Sequence, residues 1–457
     1  MIAPVDTLEA CIDAPRDSTP ENRHVLVRGW CYARGGSKVL GLRARVGRRI
    51  FEGKQGLHRP DVAKACGGIV GSEFSGFEVW VEFPRGESLC EIEALVEGSG
   101  WLRAGLLEIK VPKAGELSEA WRGLRFWWLA LRGRPEALKV LKEPERSFLL
   151  NQLRLKGWTN LDRQIQYSPK TVGEERFPRG KRNPSKGPKI SLVTPSLNQA
   201  AFLERTMCSV LEQDGVRLEY SVQDGASHDG SPEIIERVLR ETMQRPGTAS
   251  LQVSWESKAD KGQAEALLRG FSRCSGSPED LMGYLNSDDK LMPGTLRFVA
   301  DYFAKHPETD AIYGHRVMID EADREIGRWL SPRPGCNPLE LHDFVPQESF
   351  FWRRRIWDRV GGIDPSFHFA LDWDLLLRFR AAGARIDRLP WFLGLFRVHT
   401  AQKSQSMVGS VGMEEMDKLR QRTLGHRPTE RELHDAFDMA LLDSALVAAA
   451  LRKGLRL

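Results

Sequence analysis

Between residues 189 and 289 the chain repeats one pattern: a short apolar run, a cluster of polar and turn-forming residues, then residues at helical spacing. KISLVTPS leads into AAFLERTMCSVLEQ, LEYSVQDGAS into PEIIERVLRETM, and LQVSWES into KGQAEALLRGFSRC, while LMGYL ends in NSDD. Strands alternating with helices at this spacing predict a mostly parallel sheet covered by helices on both faces. Ligands of such sheets sit outside the carboxyl ends of the strands. The polar clusters fall at those ends: Thr194-Pro195-Ser196-Leu197-Asn198, Asp224 to Ser231, Asp260-Lys261-Gly262-Gln263-Ala264 and Asn286-Ser287-Asp288-Asp289. Each alone reads as a turn built from ordinary turn residues. Four in succession, the last with paired acids, point to one crevice.

The rest of the chain differs in texture. Residues 1–112 carry short runs rich in β-branched and aromatic residues (HVLVRGWCYA, LGLRARVG, GFEVWVEF, CEIEALVEG, LLEIKV) between Gly, Pro and Ser, which predicts an all-β sandwich. Its Trp30 and Trp80 read either as core residues or as exposed carbohydrate contacts. In residues 113–188, Leu117, Trp121, Leu124, Trp128 and Leu131 recur at helical spacing, Pro135 and Pro144 divide the pattern, and FPRGKRNPSKGPK reads as a linker. This connector holds 17 Lys and Arg against 8 Asp and Glu, a net of +9, so a chain totalling +5 is −4 elsewhere. Its helix reads as an element buried against the α/β domain or as a basic amphipathic surface for an anionic leaflet. Residues 403–457 again read as helices. The expected organisation is therefore 1–112 sandwich, 113–188 basic helical connector, 189–402 α/β domain and 403–457 helical segment.

Several classes are excluded. No run of about 18 uncharged apolar residues predicts a spanning helix, and the acidic start does not read as a secretory leader. The seven cysteines form no C-x-x-C pair, which argues against a zinc site or disulfide frame and fits a reducing cytoplasm. The phosphate-loop, dinucleotide-binding and zinc-protease signatures are missing. No nucleic-acid-binding signature accompanies the basic connector, so no nucleic-acid partner is expected.

The paired acids Asp288 and Asp289 repel each other unless something neutralises them. A divalent cation shared with substrate phosphates does this. The competing reading is a helix N-cap, since Asp289 precedes KLMPGTLRFVADYF. The surrounding motifs favour the first. ISLVTPSLNQAAFLERTMCSVLEQ, LEYSVQDGASHDGS, ADKGQAEALLRGF, GYLNSDDKLMPGTL, VPQESFFWRRRIWDRVGGIDPSFHFALDWDLLLRFRAAG and FRVHTAQKS, in this order, resemble a family 2 glycosyltransferase of the GT-A fold, a Rossmann-like, mostly parallel sheet. HVLVRGW, GLHRPDVAKA and SGFEVWVEFPRG resemble a β-sandwich accessory domain fused to bacterial glycosyltransferases.

The resemblance implies an inverting, metal-dependent transferase using Mg²⁺ or Mn²⁺ and a UDP- or GDP-sugar donor. It would act on a glycan or lipid-linked acceptor in bacterial surface polysaccharide biosynthesis. The cysteine pattern and the basic connector, read by themselves, add the expectation of a cytoplasmic place of action with peripheral contact to the inner membrane. By position it implies Pro195, Ser196, Asn198, Asp224, Lys261, Gln263, Asn286 and Asp288 on the nucleotide and donor. Asp289 would hold the metal, with His399 as a further metal or diphosphate contact. Gln347 and Glu348 would face the acceptor, and Asp372 would be the general base with Asp374 as fallback. The chemistry needs one carboxylate to take the acceptor hydroxyl's proton and another to hold the cation on the leaving diphosphate. Two positions depart from the family pattern: Leu371 stands where many members have Glu, and Asn286 opens the metal motif in place of an acid. The first supports an alternative, a non-catalytic carbohydrate- or nucleotide-binding protein on a degenerate transferase fold. The ion pair of Asp374 with Arg378, four residues on, is the competing structural role for the acids of ALDWD.

Overall fold

A computed structural model describes residues 7–15, 18–20, 22–112, 116–132, 134, 137–155, 161, 164–178, 187–245, 250–336, 338–400, 402 and 411–457, with the side chains of 116–121, 138, 139, 143 and 155 left aside. The sequence-based readings of the Leu117 and Trp121 side chains, of Pro135 and of most of the linker therefore lie outside the described residues. The chain divides into two compact units, Met1–Trp158 and Thr159–Leu457.

In the first unit, strands Leu8–Ala14, His24–Ala33, Gly76–Glu82 and Lys54–Leu57 form one antiparallel sheet, in that order. Arg49–Glu52, Val39–Val46, Gly86–Val96 and Gly100–Val111 form a second. Alternate residues of each sheet (Val25, Val27, Val79 and Val81; Leu42, Ala44, Ile92 and Ala94) are buried in one shared core, as the period of two demands. Trp30 and Trp80 fall on the other phase and are half-buried. Helices Glu116–Leu131, Ala137–Val140 and Glu143–Leu155 follow, broken near the two prolines. Phe148 of the last packs onto the strands, 4.5 Å from the His24 ring.

The second unit carries β1 (Lys189–Ser196), α1 (Ala200–Leu211), β2 (Arg217–Asp224), α2 (Ser231–Met243), β3 (Leu251–Ser257), α3 (Gln263–Arg273), β4 (Leu281–Tyr284), β5 (Lys290–Leu291), α4 (Thr295–Lys305), β6 (Ala311–Ile319), β7 (Glu325–Trp329), β8 (Phe351–Arg353), α5 (Arg354–Val360), α6 (Leu371–Ala381), β9 (Ile386–Arg397), α7 (Met413–Leu424) and α8 (Glu430–Arg452). The sheet order is β3-β2-β1-β4-β8-β6-β9-β5, with β7 on β6. β3, β2, β1 and β4 are mutually parallel, and β8 runs antiparallel to its neighbours.

One core lies under α1, α2 and α4 (Leu203, Met207, Ile235, Leu239, Leu296, Phe303) and another under α3, α5 and α6 (Leu267, Phe271, Ile356, Leu375, Phe379). The expected helix layers thus cover both faces. Residues 164–170 run along β7, where the Gln166 N–H donates to Ile326 O at 2.8 Å and Lys170 bridges Glu325. The division after Trp158 falls within the stretch set apart as a connector. The helix expected directly after Asp289 begins later: its N-cap is Gly294, so Asp289 does not cap it. Helix α8 opens with a capping box of Thr429 and Glu432. The seven cysteines are free. No helix among the described residues is long and apolar enough to cross a membrane.

Candidate active site

The chain runs outward from β1 through β2 to β3, then returns to place β4 on the other side of β1. That reversal opens a crevice at the carboxyl ends of β1 and β4. The loops there brace one another. The Gly225 N–H donates to Ser196 O at 2.8 Å, the Asn198 N–H to Ser227 Oγ at 2.7 Å, the His228 N–H to Asn198 Oδ1 at 3.0 Å and the Ala200 N–H to Asp229 Oδ2 at 2.8 Å. Asn198 takes a left-handed φ of 52°, which Asn tolerates better than most residues.

Asp224, expected on a base, is only 2% exposed, and its carboxylate is occupied. It accepts from the Ser227 N–H at 2.9 Å and the Ser257 hydroxyl at 2.6 Å. In this structure it holds the loop together. Ser196 Oγ is buried without a hydrogen-bond partner among the described residues. Lys261 is exposed.

A cavity of about 320 Å³ opens beside these loops. Its wall includes Gln263, Asn286, Asp288, Asp289, Gln347, Glu348 and Asp372, so seven of the expected site residues converge. Pro195, Ser196, Asn198, Asp224, Lys261, Asp374 and His399 are not in its wall. Gln263 Nε2 donates to Asn286 Oδ1 at 2.7 Å, which ties α3 to the acid motif. The Thr206 hydroxyl of α1 reaches Ser287 O at 2.9 Å and Asp289 O at 2.7 Å from below. Arg397, fully buried, closes the motif from β9: its N–H donates to Asp289 Oδ1 at 3.0 Å and its Nε to Asp288 O at 2.8 Å. His399 Nε2 lies 3.1 Å from Asp288 Oδ2, with its ring against Phe202.

Burial, then the charges of Asp288 and Glu348, push the Asp289 carboxyl well above the usual carboxylate range. Such a group needs a positive partner to ionise. Among the described residues, no three His, Cys, Asp or Glu side chains are grouped to hold a metal unaided. Asp289, with Asp288 beside it and His399 behind, fits a divalent cation whose other ligands are substrate phosphates.

The wall also contains residues the motifs did not single out: Arg316, Trp329, Asp343 and Gln164. Glu348, 1% exposed, pairs with Arg316 Nε at 2.9 Å, and the guanidinium lies over the rings of Phe396 (4.5 Å) and Trp329 (5.5 Å). Neither Glu348 oxygen accepts a well-aligned hydrogen bond from a described residue, nor does Gln347 Oε1. Gly394 permits this arrangement, since a Cβ there would lie 2.4 Å from Glu348 Cγ. Asp343 reaches solvent in the cavity, yet protein surrounds it closely. That desolvation, then the charge of Asp372, pushes its carboxyl up to about 8. Burial and the same acids push the Tyr284 hydroxyl well up, so it remains a donor.

Asp372 lies in the first turn of α6, half-buried and facing the cavity. Asp374 is a correction to the expectation. It is fully buried and paired with Arg378 (2.7 Å) and Arg422 (2.7 Å), away from the cavity. Two residues along a helix rotate the side chain by about 200°, so both acids cannot face one crevice.

The start of α6 is fixed by Glu415 of α7, whose carboxylate accepts from the N–H groups of His368 (2.8 Å), Phe369 (2.8 Å) and Ala370 (2.9 Å). No local signal marked Glu415, because its partners lie 45 or more residues away. Hydrogen bonds to a charged group contribute about 1.5–3 kcal/mol each. Glu415→Ala is therefore expected to destabilise the protein by about 3 kcal/mol or more, read as a lowered urea midpoint. Glu415→Gln should recover part of the loss.

Residues 191–366 match the family model for glycosyl transferase family 2. The chain is 31% identical over 206 residues to the O-antigen biosynthesis protein RfbC of Myxococcus xanthus, a match covering 45% of this chain but only 15% of that protein. It is 25% identical over 207 residues to a PGL/p-HBAD biosynthesis glycosyltransferase of Mycobacterium bovis, covering 44% of this chain and 73% of the relative. The mannosyltransferase PcManGT of Pyrobaculum calidifontis, solved with GDP-Man and Mn²⁺, aligns at 17% identity with a TM-score of 0.42, over 73% of this chain and 86% of that one. Residues 191–366, which contain the β3-β2-β1-β4 part of the sheet and its crevice, are thus similar to glycosyl transferase family 2 domains.

Proposed function

We propose that the protein is an inverting glycosyltransferase that moves a sugar from a nucleoside-diphosphate donor to a hydroxyl of a glycan or lipid-linked acceptor in surface polysaccharide or glycolipid assembly. The observation that carries this reading is the convergence of Asp289 and Asp372 on one cavity, on different elements and in different environments. Asp372, half-buried at the start of α6, is the general base that accepts the proton of the attacking hydroxyl. Asp289 and Asp288 would hold the cation, with His399, 3.1 Å from Asp288 Oδ2, orienting Asp288. A bound Mg²⁺ or Mn²⁺ would neutralise charge on the departing diphosphate.

Gln263 and Asn286 position the donor. Pro195, Ser196, Asn198, Asp224 and Lys261 shape the nucleotide side, with Asp224 acting through the loop it holds. Gln347, Glu348 and Arg316 receive the acceptor, whose hydroxyls donate to Gln347 Oε1 and to the Arg316-paired carboxylate of Glu348. The relatives' names support the pathway class. The free cysteines support a cytoplasmic site of action. The first unit is an accessory domain in this reading.

A thermal-shift panel of UDP, GDP and their sugars, with and without Mn²⁺, tests it. A ligand at a hundredfold excess over its Kd adds about 2.7 kcal/mol. A metal-dependent rise in Tm with one nucleotide series is expected, and no shift with any member sinks the proposal. The alternative, a binding protein on a degenerate transferase fold, rests on Leu371, which is buried and apolar where many members carry an acid. Metal-dependent turnover of the donor by purified protein rejects it.

A further inference from the structure

Helix Glu116–Leu131 has one face in the fold and an apolar face outside it. Phe126 and Ala130 are buried, and Arg122 pairs with the nearly buried Glu145 at 2.8 Å, so this face belongs to the fold. Leu124 (65% exposed), Trp127 (44%), Trp128 (54%) and Leu131 (60%) are apolar yet face solvent. Their spacing of i, i+3, i+4 and i+7 puts them on one continuous stripe. Arg125, Arg132 and Arg134 are exposed along it, and the Arg132 guanidinium sits 4.0 Å over the Trp128 ring. The two glutamates of the helix, Glu116 and Glu119, fall at its other end.

We propose that this stripe docks on an anionic lipid bilayer, with the Trp and Leu side chains entering the headgroup boundary and the arginines meeting lipid phosphates. Charge selects this occupant. Tryptophan favours the membrane–water interface, arginine can keep its head in the polar layer while its stem lies along apolar surface, and each basic residue near an anionic leaflet adds about 1 kcal/mol. The surrounding segment 113–188 carries a net +9. A neutral protein groove would match the apolar stripe but leave the arginines unanswered. The proposal stands apart from the transferase reading, since docking needs no nucleotide.

Sedimentation of the full chain with vesicles tests it, comparing pure phosphatidylcholine with a phosphatidylcholine–phosphatidylglycerol mixture. Wild-type protein should sediment with the mixed vesicles and not with the neutral ones, and added salt should release it. The pair Trp127→Ser and Trp128→Ser, and separately Arg125→Glu with Arg132→Glu, should each weaken binding more than about tenfold with unchanged melting curves. If a double variant melts early, the exposed Leu124→Ser alone is read instead, with the same direction expected. The proposal is overturned if wild-type protein ignores mixed vesicles, if neutral vesicles bind it equally, or if the serine variants bind as wild type. Self-association through the stripe without vesicle binding overturns it as well.

Discussion

Asp372→Asn is expected to slow sugar transfer by about 10²–10⁴-fold, the usual contribution of a positioned general base, while nucleotide binding and the melting temperature stay close to wild type. The side chain is half-buried, so an isosteric amide fits, and the hydrogen bond from the Trp373 N–H to Asp372 Oδ1, at 2.9 Å, persists. The amide cannot take up the acceptor proton. Asp374→Asn separates this role from a structural one. Asp374 is ion-paired out of the cavity, so its loss should lower stability first. Steady-state assays beside urea melts distinguish the two. Wild-type rates in Asp372→Asn would remove it from the mechanism.

Asp289→Asn should differ in its effect on stability: a loss of metal-dependent activity of the order of 10²–10³-fold, as for a lost electrostatic contact, together with a more stable metal-free protein. Folding raises the Asp289 pKa, so the native state holds this proton over a pH range where the unfolded chain has released it. Native stability in chelator therefore falls as pH rises from the unfolded carboxylate value toward the raised folded value. Asn removes that penalty and keeps the oxygen that accepts from the Arg397 N–H. Urea melts across pH in chelator should show a shallower fall for the variant than for wild type. Some slope remains, because burial also raises Glu348 and Asp343. A variant less stable than wild type at neutral pH, with an unchanged slope, would contradict this account of the acid motif.

Much of the second unit was legible in the sequence because its information is local. Four apolar runs with polar ends became β1, β2, β3 and β4, and the reversal of strand order gathered those ends. Adjacency alone marked Asp288 and Asp289 as a pair, and both line the cavity. What was not legible depends on rotation and distance. Asp372 and Asp374 look alike in ALDWD, and only the helical turn sends one to the cavity and the other to Arg378 and Arg422. Asp224 carries a motif match, but its carboxylate is taken by two serines, one of them 33 residues away. Arg316 and Glu415 act through partners 32 and 45 or more residues distant. In helix Glu116–Leu131, periodicity identified an apolar stripe but not which side of the helix the fold would cover. Phe126 and Ala130 went inward, and Trp127 and Trp128 stayed out.

Diffraction from crystals grown with Mn²⁺ and the nucleotide that gives the largest thermal shift tests the central claim most directly. The account predicts an anomalous manganese peak at ligand distance from the Asp289 carboxylate, bridged to the nucleotide's phosphates, with Asp372 across the same cavity. Manganese absent from that cavity, or a nucleotide bound away from the ends of β1 and β4, would contradict it.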